Sequence, residues 1–382
     1  MKKLTICAAI LLAPLLGYGQ KMDLLGTEHI LFWTPEQQRT GYSSIAEIAN
    51  TRTIEAVDQY LKLPKSELSL DGYAHINKGE VSSIDDFMLR SRAAGLLVLH
   101  ENQIVFEKYA LGHREDKLWI SFSVTKSVVS LLIGAAIKDG LIKSVDELVV
   151  DYLPHLKGGA YADVRIKDLL QMSSGAGWNE DYADPDSDVG NAPYGPPELF
   201  SYMSELEKKT PAGEVFNYNT GETSISGALL RSAVGNNLSV YLQRKIWQPF
   251  GMEFNANWLL GAPDGEEIGG CCISATLRDY ARLGLFALGN GTLADGTAVL
   301  PEGWISQSTA ASKVYEGYGY YWWLQEEGSY AAEGVFGQFI WIDPARDVVI
   351  AMQSAWPSAW EDDYEAEVNK LFGGIAASLD QQ

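Results

Sequence analysis

At 382 residues with 46% hydrophobic side chains, the chain is long enough for one large domain or two ordinary ones and can fill a sizeable core. Its formal net charge of -21 argues against nucleic acid and anionic membrane surfaces as partners and favours solubility.

Met1-Lys2-Lys3, the apolar run Leu4 to Leu16 and Gly17-Tyr18-Gly19 have the three-part form of a secretory signal, so residues 1–19 are expected to be removed before Gln20. The product is then periplasmic or secreted. The apolar run is too short for a comfortable transmembrane helix, and nothing later supplies about 18 uncharged apolar residues in a row. Cys7 lacks the small residues that would precede a lipidated cysteine. Residues 21 to about 90 are the least informative, and short helices or loops covering one side of the core are the only expectation there.

From Ala93 the pattern turns to strand, with Gly95 to His100, a turn at Glu101-Asn102-Gln103, and Ile104 to Tyr109 reading as a hairpin. Next comes Ser121-Phe122-Ser123-Val124-Thr125-Lys126-Ser127, followed without a break by Val128 to Ile137. Side chains three apart on a helix share a face, so Ser123 Oγ and Lys126 Nζ can meet. The run after them leaves little polar face, which predicts a helix buried on nearly all sides and ending at Asp139-Gly140. Burial disfavours an ammonium and lowers its pKa, so Lys126 could act as a base near neutral pH. The same residues also make an ordinary helix start, with Ser121 or Ser123 as N-cap.

Between Leu141 and about Gly261 the signals are mostly helical: a capping pattern at Ser144 to Leu148, then Arg165 to Leu170, Glu198 to Leu206, Thr223 to Val234 and Leu238 to Trp247. The stretch Gly175 to Tyr182, running into Asp184-Pro185-Asp186-Ser187-Asp188, reads either as a substrate-facing lid or as a solvated loop. Val189 and Gly195 stand where a calcium loop needs Gly and Glu, which excludes an EF-hand. Phe216-Asn217-Tyr218-Asn219-Thr220-Gly221 places a tyrosine on a polar loop ahead of a helix, as a packing residue or as a proton donor. Cys271 and Cys272 read as small buried thiols with no structural disulfide required. A helix over Ala275 to Leu288 follows. Tyr318 to Leu324, Ser329 to Gly334, Gln338 to Ile342 and Val348 to Met352 form an antiparallel meander, closed by a helix over Trp360 to Leu379.

Strands before and after a helical middle predict one α/β (α+β) body: an antiparallel sheet flanked by helices, with an α-helical insertion. Residues 20–382 would form a single domain, with its sheet region at about 90–112 and 315–355 and its helical region at about 123–290. A Ser-His-Asp hydrolase is a poor fit, because there is no G-x-S-x-G elbow and all five histidines precede position 156. No H-x-x-x-H or C-x-x-C spacing suggests zinc.

Phe122 to Ser127, Phe216 to Gly221 and Gly334-Val335-Phe336-Gly337-Gln338, in this order and at this spacing, resemble the penicillin-recognising serine hydrolases. Within them the chain is most similar to the class C β-lactamase-related branch, with the 6-aminohexanoate-dimer hydrolases and the carboxylesterases of β-lactamase fold closest in look. The likeness covers roughly residues 90 to 355 and includes Asp168 to Gly175, Trp247 to Met252 and Arg278 to Gly284. It implies a β-lactamase/DD-peptidase-like fold. It also implies Ser123 as nucleophile, Lys126 as its base, Tyr218 as the acid and base for the leaving group and the deacylating water, and the Ser123 and Val335 N–H groups as oxyanion donors. Trp178, Asn179, Glu180, Tyr182, Thr220, Glu333 and Gly334 are the implied substrate-binding residues, with no cofactor and no metal.

Two features depart from the family pattern. Ala332-Glu333-Gly334 replaces Lys-Thr-Gly, which removes the partner of a substrate carboxylate, and Thr220 stands where many relatives have Asn. A small-molecule ester or amide is therefore the expected substrate. A D-amino-acid or cell-wall peptidase, and a non-catalytic penicillin-binding-type protein, remain the alternative readings.

Overall fold

The computed structural model describes residues 30–380, so the expected signal segment, residues 1–19, lies outside the described residues. The central sheet has six antiparallel strands in the order Gln103–Tyr109, Ala93–His100, Val348–Ser354, Gln338–Asp343, Tyr330–Gly334, Trp323–Leu324. The predicted hairpin thus pairs with the last strand of the predicted meander, which closes one sheet from two distant parts of the chain. Its middle strands are buried on both faces, so their sequences are nearly continuous in apolar residues and do not alternate.

One face of the sheet carries the helix Leu277–Leu288, where Gly284 lets the backbones approach: a Cβ there would lie 2.5 Å from Val349 Cγ1. The serine helix Val124–Lys138 packs on the strands Tyr330–Gly334 and Gln338–Asp343 and against the helix Thr220–Val234, and every residue in it except Ile137 and Lys138 is buried. The helix Asp362–Leu379 covers the other face, packing Val368, Leu371, Phe372 and Ile375 against Phe339, Trp341 and Ile350. Each core is apolar and continuous, and its burial is the main stabilising term of the fold.

Several local expectations are corrected. Ser144 to Leu148 is a turn held by Ser144 Oγ and Glu147, and the short helix begins only at Val149. The tyrosine helix begins at Thr220, capped by Asn219. Most of Tyr318 to Trp322 is irregular, and the strand is confined to Trp323–Leu324. Residues 30–90 are more ordered than their sequence suggests. Thr51–Ile54 joins Ala256–Leu259, Ile273–Ala275 and Trp119–Ile120 in a second antiparallel sheet, which delivers the chain to Ser121.

Candidate active site

Ser123 stands at the N-cap position of the serine helix, yet its side chain makes no capping bond. Capping is not what occupies Ser123. Ser121 Oγ is engaged elsewhere, with the Thr125 hydroxyl at 2.7 Å and the Ile273 N–H at 2.9 Å. Ser123 Oγ instead lies 2.8 Å from Lys126 Nζ. The amine also donates to Thr220 Oγ1 at 3.0 Å and to the Gly270 carbonyl at 3.1 Å, and only 1% of Lys126 is exposed. Burial pushes its pKa down to about 8, against an opposing pull from Glu180.

Thr220 links that amine to an acid. Its hydroxyl donates to Glu180 Oε1, and its backbone N–H donates to Glu180 Oε2 at 3.0 Å. The Tyr182 hydroxyl and Trp178 Nε1 supply two further bonds to Glu180. The threonine hydroxyl therefore occupies the junction where many relatives would have an amide, accepting from lysine and donating to carboxylate.

Tyr218 is placed by its neighbours in sequence. The Asn217 N–H donates to the Met172 carbonyl at 2.7 Å, and Asn219 Oδ1 accepts from the Glu222 N–H at 3.0 Å. The phenol ring stacks on Trp323 with centroids 5.7 Å apart, and Lys126 Nζ lies 5.0 Å from its centre. Burial first, then Glu180, pushes its hydroxyl pKa well up, while a hydrogen bond with Ser123 opposes the shift. Tyr218 is held as a phenol.

Gly334 ends the strand that faces Ser123. A Cβ there would lie 2.5 Å from the Ser121 carbonyl oxygen and 3.1 Å from the Ser123 nitrogen, so only glycine allows this approach. The Ser123 and Val335 N–H groups have no acceptor among the described residues. Two unpaired donors at one closely packed junction can stabilise a developing oxyanion.

Two cavities meet at Ser123. One, of about 190 Å³, is lined by Ser123, Glu180, Tyr182, Tyr218, Trp323, Glu333, Gly334, Val335 and Trp360. The other, of about 60 Å³, runs past Phe122, Val189, Leu259 and the Cys271–Cys272 pair. Among the described residues no Lys, Arg or His lines either cavity. Cys271 and Cys272 stand side by side in the wall of this smaller cavity, Cys272 buried and Cys271 half-buried.

Two expected binding residues do not line the cleft. Asn179 is exposed and bonds within its own loop, to Asp184 and to the Asp181 N–H. Trp178 is buried against Tyr202 and beneath Gly221, and it supports Glu180 from behind. The sequence reading missed Gly270, Trp323 and Trp360. It also missed the buried Glu222, whose carboxyl accepts from Ser174 Oγ and Asn219 Nδ2 under the tyrosine loop. Burial, its largest influence, holds the Glu222 pKa up at about 8. Among the described residues no group of three or more His, Cys, Asp or Glu is arranged to hold a metal ion, and no helix is long and apolar enough to cross a membrane.

A model of the beta-lactamase family matches residues 82–373. The chain is 28% identical over 287 residues to the 6-aminohexanoate-dimer hydrolase of Paenarthrobacter ureafaciens, covering 68% of this chain and 72% of that protein. Among solved structures, a Bacillus anthracis protein provisionally described as a 6-aminohexanoate-dimer hydrolase superposes with a TM-score of 0.81 at 21% identity, covering 94% of this chain and 97% of that one. A penicillin-binding protein homologue from Caulobacter crescentus gives 0.56 at 18% identity, covering 73% and 91%.

Proposed function

The chain belongs to the beta-lactamase family, and on that premise we propose that it is an exported serine hydrolase cleaving small esters or amides through an acyl-enzyme on Ser123. The observation that carries this reading is the 2.8 Å contact between Ser123 Oγ and a buried Lys126 amine whose pKa is lowered to about 8.

In acylation Ser123 Oγ attacks the carbonyl carbon as Lys126 Nζ takes its proton. The carbonyl oxygen gains charge between the Ser123 and Val335 N–H groups. Collapse breaks the bond to the leaving group, which takes the Tyr218 proton and departs neutral. The resulting Tyr218 phenolate then takes a proton from the deacylating water. Lysine returns its own proton to Ser123 Oγ as the acyl bond breaks, and all three groups regain their starting states.

That no described Lys, Arg or His lines the cavities, with Ala332 and Glu333 on the facing strand, favours neutral or amine-bearing substrates over carboxylates. Residues 20–382 act as one catalytic domain in this reading, and export rests on the basic, apolar and small-residue segments of positions 1–19. Hydrolysis of p-nitrophenyl butyrate by wild type and Ser123→Ala tests the chemistry. Activity in the wild type that is lost in the variant is expected, whereas equal activity in both would refute it. An N-terminus at Gln20 in the protein recovered from its host would accord with export, and an intact Met1 would contradict it.

A further inference from the structure

The two cavities that meet at Ser123 differ in chemistry. In the larger one Trp323 and Tyr218 are stacked as one wall, and Trp360 stands at the mouth with 45% of its surface exposed. An exposed tryptophan at the rim of a cleft has an aromatic face available to a ligand. Glu333 completes the lining and is itself only 6% exposed. One of its oxygens accepts from Gln325 Nε2 at 2.7 Å, and the other has no donor among the described residues. Neither Glu333 nor its neighbour Glu365 on the C-terminal helix forms an ion pair with a described residue, and Glu365 Oε2 is buried without a partner. Burial and the repulsion of Glu365 both disfavour a charged Glu333, a cost that a cation in the cavity would offset. Glu180, the other acid in the lining, is already saturated by four donors.

Two tryptophan rings, Trp323 and Trp360, beside one open carboxyl oxygen match an ammonium group, which rings attract through their faces and a carboxylate attracts through its charge. Tyr218, the proton donor to the leaving group, belongs to this same wall, so the cation must lie on the leaving-group side. The smaller cavity has apolar walls at Phe122, Val189, Leu259 and the Cys271–Cys272 pair, and its volume of about 60 Å³ admits only a short chain.

We infer that the enzyme acts on short-chain acyl esters or amides whose leaving group, an amino alcohol or a diamine, carries an ammonium held by Glu333, Trp323 and Trp360. This inference rests on the serine-hydrolase reading. The products would be a short carboxylic acid and a cationic alcohol or amine.

The test compares 2-(trimethylammonio)ethyl butyrate with its uncharged isostere, 3,3-dimethylbutyl butyrate, and uses p-nitrophenyl butyrate to report on the serine chemistry. The expected result is a kcat/KM ratio of about tenfold or more in favour of the cationic ester, falling to within about twofold in Glu333→Gln. Turnover of p-nitrophenyl butyrate with a wild-type ratio near one would overturn the subsite and leave the serine reading standing. No turnover of any ester would overturn both. Should Glu333→Gln fail to fold, wild-type inhibition decides. Choline should inhibit p-nitrophenyl butyrate hydrolysis at about tenfold lower concentration than 3,3-dimethylbutan-1-ol, and equal inhibition would refute the cation site.

Discussion

Phe122 and Phe336 pack with ring centroids 5.2 Å apart, and each adopts a left-handed backbone, at φ 45 and φ 62, beside one of the two unpaired N–H groups. Phe122 precedes Ser123, and Phe336 follows Val335. A bulky residue at positive φ costs on the order of 1–3 kcal/mol and persists only where its surroundings enforce it. Here the enforcement is mutual burial, with Tyr42 packed against both rings. The pair clamps the serine helix to the sheet edge and sets the aim of the two donors. Phe336→Ala should therefore lower stability by about 3 kcal/mol. It should also cut kcat by about tenfold to a hundredfold with little change in KM, because a misdirected oxyanion donor weakens the transition state. Urea unfolding alongside steady-state kinetics measures both effects. A stability loss with kcat intact would show that the clamp does not aim the donors.

Lys126 must be neutral to accept the serine proton, and its pKa is lowered to about 8. For an uncharged ester, kcat/KM should rise with pH and level off above an apparent pKa near 8. Lys126→Arg should abolish the activity, since a guanidinium keeps its proton throughout this range. A flat profile from pH 6 to 9 would contradict the assignment of Lys126 as base.

Glu180 reaches Lys126 through Thr220 and raises the pKa of the amine by its charge. Removing that charge in Glu180→Gln should move the acidic limb of the kcat/KM profile to lower pH. The plateau should fall as well, because the glutamine cannot accept all four of the bonds that fix Thr220, Tyr182 and Trp178. An unmoved or upward-shifted limb would show that Glu180 does not act on the base.

Glu222 carries the opposite linkage. Its folded pKa is about 8 against an ordinary 4.5, so between these values the folded chain keeps a proton that the unfolded chain releases. Its contribution to stability is thus full below about pH 4.5 and is lost as pH rises toward 8. The slope is no more than about 1.4 kcal/mol per pH unit. Glu222→Gln should unfold in urea with a smaller loss of stability from pH 5.5 to 7.5 than the wild type. Parallel losses in the two proteins would place the pH sensitivity elsewhere.

Much of this arrangement could be read from the chain. The unbroken apolar run after Lys126 allowed only a buried helix, and the two strand-like runs Gly95 to His100 and Ile104 to Tyr109 around a polar turn allowed only a hairpin. The three motifs that carried the family resemblance do converge on one cleft. Thr51–Ile54 was hidden because its four residues, Thr-Arg-Thr-Ile, show no apolar face until Ala256–Leu259 pairs with them. Trp178 and Asn179 misled because adjacent residues of one loop point in different directions, inward to Glu180 and outward to Asp184. Trp360 gave no signal, since its place at the mouth of the cleft depends on how the chain turns into the C-terminal helix. Glu222 looked like an ordinary first-turn acid of a helix, and only tertiary burial makes it a neutral one.

The most direct test of the central claim is intact-protein mass spectrometry after treatment with a fluorophosphonate, on the wild type and on Ser123→Ala. A single adduct on the wild type, located to Ser123 by peptide mapping and absent from the variant, is the predicted result. An unlabelled wild type, or the same adduct on both proteins, would contradict an activated Ser123 and with it the acyl-enzyme mechanism.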